Sequence, residues 1–357
     1  MSANRAADSR REPADASEGP NGLDDPDDRV VAVPCEGDDV LALFALETGD
    51  PLGEVPVGSH PVHAVSYRGR TFVATMGERA VTAVAPDGEV TRIETGVLGP
   101  SHFAAANGAL FVSCSAGDAL AVVDPESLTL TGRIAVGAEP HEVAASPDGD
   151  RLFSGSRRDG VVDIVGVAAR ERLGAIDVGD DARVQGVALS PDGTRGYAVD
   201  QRGPRVVAFD PSVTPESTAH SSGITGSAEV GADPYDLVVT DERAFVPGRG
   251  DGVVHEFDRD LTRRAVHHGF DRPVDLFRID GDWWVLDAET PRIRSLAGDA
   301  VETPAPGLVG TPVDLADGRR RLVVSHYDDD RVSLVDLGDG VVWTAETPAY
   351  PFGSVVV

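Results

Sequence analysis

The stretch PHEVAASPDGDRLFSGSRRDGVVDIVGVAARERLGAIDVG, residues 140–179, decides the fold, because the chain has already spelled it once. Residues 100–137 read PSHFAAANGALFVSCSAGDALAVVDPESLTLTGRIAVG. Each copy opens on Pro, runs through a short apolar segment, turns, and ends its second segment on a small or polar residue. A third segment with alternating apolar residues follows, and the fourth closes on Val-Gly. Period-2 apolar runs broken by turn residues are strands. In SPDG, at Ser146 and again at Ser190, Gly supplies the left-handed position of the turn. Four strands in about 40 residues make one blade of a β-propeller. A solenoid of strand–helix repeats is disfavoured, since no copy carries a 3.6-residue pattern.

The opening signature recurs along the chain: PVHAV at Pro61, PSHFA at Pro100, PHEVA at Pro140, PYDLV at Pro234, PVDLF at Pro273, PVDLA at Pro312 and PFGSV at Pro351. A degenerate copy, VQGVA, begins at Val184. Residues 29–57 read as second, third and fourth strands without a first. Residues 351–357 read as a first strand without successors. Joined, the two fragments complete a blade, which removes the unpaired edge that an open ring would leave. The sequence therefore predicts an all-β, single eight-bladed propeller over 29–357, closed by strands from both termini. A count of seven follows only if 180–230 is not a full blade. Residues 1–28, rich in Asp, Pro and Ser, are expected to be a disordered acidic leader.

These copies resemble the YVTN family of β-propeller repeats, the YncE-like group. FVSC at Phe111 and YAVD at Tyr197 occupy the quadruplet that gives the family its name, and LAVVD at Leu120 and VSLVD at Val332 match its third strand. The quadruplet's Asn is replaced in every copy. The resemblance implies the propeller fold. For function it implies a choice, because such repeats serve lactone hydrolysis, cofactor binding and protein recognition alike.

Composition narrows the choice. Sixty acidic residues face 31 basic ones, a net charge of −29, and every basic residue is Arg. Such a surface suits high salt, where screening relieves self-repulsion, and points to a halophilic, haloarchaeal source. Nucleic acid is a poor partner for it, since binding depends on cations that displace counterions. No run of about 18 apolar residues exists to cross a membrane. Arg10 and Arg11 precede no apolar segment, so no export signal is read there. With two cysteines, Cys35 and Cys114, this gives a cytoplasmic expectation with both thiols free.

Two columns of the repeat converge on one face. The residue two after the Pro is His63, His102, Glu142, Gly186, Asp236, Asp275, Asp314 and Gly353 in successive blades. The end of the second strand is Cys35, Thr75, Cys114, Ser156, Asp200, Gly248, Asp287 and His326. Asp236, Asp275 and Asp314 are expected either to face a ligand or to accept backbone N–H groups from a neighbouring blade. His63, His102 and Glu142, in consecutive blades, are a candidate set for a divalent metal ion, with His60 and His141 as substitutes. Arg157, Arg158, Arg202, Arg249 and His326 are placed on the same face. The arginines either neutralise its acids or clamp a carboxylate or phosphate. Trp283 and Trp284 are read as core, and His267 and His268 as rim.

No nucleophile elbow, P-loop or Cys-x-x-Cys occurs. The leading expectation is a binding propeller that presents this face to a small molecule or a protein. The alternatives are a metal-assisted lactone hydrolase or lyase, and a redox propeller holding a quinone or haem-like cofactor.

Overall fold

The computed structural model describes residues 29–213, 220–221, 223–315 and 318–357. The expected leader lies outside them. Eight antiparallel sheets follow one another, each with its strands in the order a-b-c-d from first to last. Blade 1 is the composite one, ordered Val355–Val356, Val30–Cys35, Val40–Ala45 and Pro51–Pro56. The first strands of blades 2 to 8 are Pro61–Tyr67, Pro100–Ala106, Pro140–Ala145, Val184–Leu189, Val238–Val239, Pro273–Ile279 and Val309–Asp314. The fold is an eight-bladed β-propeller.

Residues 184–229 form a full blade, strands Val184–Leu189, Gly196–Asp200, Arg205–Phe209 and Ile224–Glu229, so the count of seven is set aside. The insertion in this blade places His220–Ser221 parallel to Glu171–Asp177 as a fifth strand of blade 4.

The terminal fragments pair as the repeat requires. Val31 faces Val356, Ala32 faces Val355, and Cys35 bridges to Pro351. Val30 and Val357 exchange N–H···O bonds of 2.8 and 2.9 Å, and Phe352 N donates to Pro34 O at 2.9 Å.

The core lies between blades. Phe153, Ile164 and Ile176 of blade 4 pack with Val187, Ala198 and Phe209 of blade 5, all buried. The SPDG turn is held locally: Ser146 Oγ donates to Asp148 Oδ1 at 2.6 Å and accepts from Arg151 N at 3.0 Å, while Gly149 takes φ +74°.

Polar members of the end-of-second-strand column tie their blades together. Every member is buried. Asp200 accepts the N–H groups of Arg183, Arg202 and Gly203, and Asp287 those of Asp271, Arg272 and Glu289. Ser156 donates to buried Asp163, which also accepts Gly137 N and pairs with Arg172. A buried carboxylate persists only when its lone pairs are filled in this way.

Blade 8 corrects the repeat reading. Its inner strand enters at Gly307-Leu308-Val309, with Leu308 N donating to Ser325 O at 2.9 Å. Val309 occupies the place of His63: it faces Ser325, one residue short of the second strand's end, as His63 faces Ala74. PVDLA at Pro312 therefore lies at the far end of the strand. Asp314 faces Arg320 there, with 68% of its side chain exposed, and forms an ion pair with it. The Pro spacing at Pro312 is a coincidence of composition, and Asp314 does not belong to the channel-mouth column.

Candidate functional site at the channel mouth

In blades 2, 3, 4, 5 and 7 the register of the inner strand shifts just after its first residue. Such a bulge sets two residues against one and re-aims both side chains. The residue one after the strand's opening residue reaches the mouth in blades 4 and 5, as His141 and Gln185, whereas in blades 2 and 3 the residue two after it does, as His63 and His102.

The result is an arc of rings. Tyr327 lies 6.0 Å from Phe352, and Phe352 packs edge-on to His63 at 4.9 Å. His63 lies 4.5 Å from His102, His102 lies 4.4 Å from His141, and His141 meets Tyr235 edge-on at 5.8 Å. From Phe352 to Tyr235 every ring is buried. Blade 5 fills its place with Gln185, also buried.

His141 is fixed by three contacts. Its Nδ1 lies 2.9 Å from the Gln185 carbonyl oxygen, which can only accept, so Nδ1 carries the proton. Nε2 then accepts, from Gln185 Nε2 at 3.0 Å and Tyr235 Oη at 3.3 Å. Burial holds His141 and His63 well below the ordinary imidazole pKa, and the charge of His102 lowers both further. Burial likewise pushes the Tyr235 phenol up. His63, His141 and Tyr235 are therefore uncharged at neutral pH.

Beside Tyr235 stands Arg249. Its guanidinium lies 4.0 Å over the Tyr235 ring, with Nη2 2.9 Å from Asp233 Oδ2. Gln201 Nε2 donates to Asp233 at 2.7 Å. In blade 4, Arg157 reaches Glu139 at 3.2 Å, and Arg183 approaches the same oxygen at 3.9 Å. Arg158 and Arg202 are exposed.

Some candidates find other employment. His326 is fully buried: Nδ1 meets Pro306 O at 3.1 Å and Nε2 meets Ser333 Oγ at 3.0 Å. It fastens the connector between blades 7 and 8 and is not displayed on the face. Asp275 accepts Leu276 N at 2.9 Å and reaches Gly310 N of blade 8 at 3.5 Å, while Asp236 accepts Leu237 N at 2.7 Å.

The expected trio of His63, His102 and Glu142 is not gathered around a point. Among the described residues no group of three or more His, Cys, Asp or Glu is arranged to hold a metal ion. His102 instead packs between two imidazoles. The donor set does not fit a metal centre.

Sequence reasoning undervalued His141 and passed over Gln185, Tyr235 and Phe352. The signal was the column one after each copy's opening residue, which reads Val62, Ser101, His141, Gln185, Tyr235, Val274, Val313 and Phe352 in the sequence, Val313 giving way to Leu308 in the structure. Large polar side chains in three consecutive blades stand out in it. A cleft of about 190 Å³ opens on the acidic side of this face, lined by Tyr327, Glu289 and Asp328, and one of about 270 Å³ opens by Asp280 and Arg319; neither is lined by these imidazoles. Trp283 packs on Phe245 at 4.3 Å, and Trp284 belongs to the core between blades 7 and 8.

No family model and no curated protein matches the chain. Solved structures do. Dihydro-heme d1 dehydrogenase NirN, in complex with DHE, superposes with a TM-score of 0.73 at 15% identity, over 95% of this chain and 77% of that one. A putative 6-phosphogluconolactonase from Bacteroides fragilis gives 0.59 at 13% identity, over 95% and 100%. The periplasmic gluconolactonase PpgL of Pseudomonas aeruginosa gives 0.57 at 15% identity, over 92% and 99%. At these identities the likeness is one of fold.

Proposed function

We propose that this propeller binds a small molecule at the channel mouth, over the sector formed by blades 4 to 6. One observation carries the reading. His141, Gln185 and Tyr235 form a buried, uncharged polar cluster whose hydrogen bonds fix its orientation, and Arg249 lies flat on its edge. Pre-oriented polar groups that fix a ligand's orientation are what small-molecule sites are built from. A propeller used only as a scaffold would fill its axis more simply with apolar side chains.

The experiment is retention. Purified protein is mixed with a protein-free extract of small metabolites, separated by gel filtration and examined by mass spectrometry. At least one compound should travel with the parent protein and be lost from a Tyr235→Ala variant of unchanged secondary structure. Retention of nothing, or of the same compounds by both proteins, would turn the reading toward protein recognition.

Lactone hydrolysis is the second reading, favoured by His63. Its imidazole belongs to the arc at the mouth, 4.5 Å from His102, and two of the similar folds are described as lactonases, although the burial that keeps His63 neutral also weakens it as a base. Hydrolysis of glucono-1,5-lactone above the buffer rate, falling at least tenfold in His63→Gln, would move this reading to first place. A haem-like macrocycle is a weaker candidate: His141, engaged at both nitrogens, is not available as an axial ligand.

A further inference from the structure

We propose that the mouth over blades 4 to 6 is an oxyanion site, in which arginines take a carboxylate or phosphate group of the ligand. The inference rests on the reading of this mouth as a small-molecule site and adds the ligand's chemical class.

The first argument is distribution. The chain has 31 cations against 60 acids. Yet the turns that follow the second strands of blades 4, 5 and 6 carry Arg157 and Arg158 beside Asp159, Arg202 with no acid, and Arg249 beside Asp251. The equivalent turns of blades 7, 8 and 1 carry Glu289, Asp328 and Asp329, and Glu36, Asp38 and Asp39, with no cation. The face is therefore polarised, and an anion meets its least unfavourable potential over blades 4 to 6.

The second argument is unspent bonding capacity. Arg157, Arg183 and Arg249 each keep a buried Nε without a hydrogen-bond partner. An unpaired buried donor costs about 1–3 kcal/mol, more when charged, and these three, in the turns of blades 4 and 6 and in the connector entering blade 5, are a standing demand for acceptors. Arg157 and Arg183 share the single carboxylate of Glu139. Among the described residues no ion pair engages Arg158 or Arg202, which stand exposed at the rim.

The third argument is preorganisation. The Arg249 side chain is only 9% exposed, held by Asp233 on one edge and by Tyr235 on one face. A guanidinium fixed before binding loses little entropy when it closes on a planar, two-oxygen group, the geometry at which arginine outperforms a point charge.

Calorimetric titration of the full chain in molar KCl tests this with two probes, inorganic phosphate and succinate, and with glucose as the neutral control. At least one oxyanion should bind at a single saturable site while glucose does not. Phosphate alone, or succinate alone, identifies the group recognised. Affinity should fall at least tenfold in Arg249→Met and in the double variant Arg158→Gln, Arg202→Gln. The double variant is a surface change, so it remains informative if Arg249→Met does not fold. Absence of saturable binding by both anions, or affinities unchanged in both variants, overturns the oxyanion site. Metabolite retention that depends on Tyr235 would in that case leave the broader reading standing with an uncharged ligand.

Discussion

Phe352, on the lone C-terminal strand, packs its ring edge-on against His63 of blade 2, with 4.9 Å between centroids. The residue that closes the ring is thus also a member of the arc at the mouth. Closure and site are one structure, and disturbance of either reaches the other.

Deleting residues 350–357 should leave Val30–Cys35 with an unpaired edge and remove Phe352 from two clusters of rings. Aggregation or a large fall in melting temperature is expected. Phe352→Ala, which keeps the backbone pairing, should cost about 3–5 kcal/mol, the usual range for a buried Phe. A truncated protein that melts with the parent would refute closure as the source of stability.

Acid should destabilise the fold before its carboxylates titrate. His63, His141, His255 and His326 all have folded pKa values below the ordinary 6.5, chiefly through burial, with His255 at about 4. Below pH 6.5 the unfolded chain takes up protons that the folded chain refuses. Stability is therefore complete above 6.5 and falls as pH drops toward the depressed values. Each such group contributes a slope of about 1.4 kcal/mol per pH unit. Denaturant melts between pH 6.5 and 5 measure it, and His141→Gln should flatten the slope. A pH-independent midpoint across that window would contradict the burial of these imidazoles.

Much of the ring was legible in the sequence, and the errors were local. The lone strand at Pro351 and its missing partners at residues 29–57 were readable because an unpaired edge is costly in any sheet. Blade 8 misled because PVDLA repeats the signature while Gly307, not Pro312, opens the strand. Composition cannot see register, and a slip of a few residues moved Asp314 from the mouth to the opposite rim. His326 was misplaced for a related reason. A strand-end histidine looks like a displayed group until the connector carbonyl of Pro306 and Ser333 claim both its nitrogens. The arc itself was half visible: its imidazoles stood in the columns, but the bulge that re-aims inner-strand residues in five of the blades has no sequence signature.

Stability should rise with salt. The motive is the net charge of −29, with acids outnumbering arginines by 60 to 31. Raising KCl from about 0.1 M to about 1 M shortens the Debye length from about 10 Å to about 3 Å and relieves repulsion among exposed carboxylates. Most of the ion pairs that salt would weaken have a partner exposed at the surface, where each is worth about 1 kcal/mol or less. The melting temperature should therefore climb steadily. A flat or falling curve would sink the expectation of a high-salt origin.

The two cysteines report on closure separately from the rest of the ring. Both are free and buried, and burial raises each thiol to about 12. The thiolate is the reactive form, so neither should react with a disulfide reagent at neutral pH while folded, and both should react after denaturation. They differ in what covers them. Cys114 ends a second strand paired along its length to Pro100–Ala106, a strand continuous with its own blade. Cys35 ends the second strand of the composite blade, and its inner neighbour is the C-terminal segment, met through the Pro351 bridge and the short pairing at Val355–Val356. Local opening begins where the fewest bonds must break. In denaturant well below the midpoint, the single-cysteine variant that retains Cys35 should be labelled faster than the one that retains Cys114. Phe352→Ala should widen the gap by speeding Cys35 alone. Equal labelling rates in parent and variant would mean that the ring opens only as a whole and that the composite blade is no weaker than its neighbours.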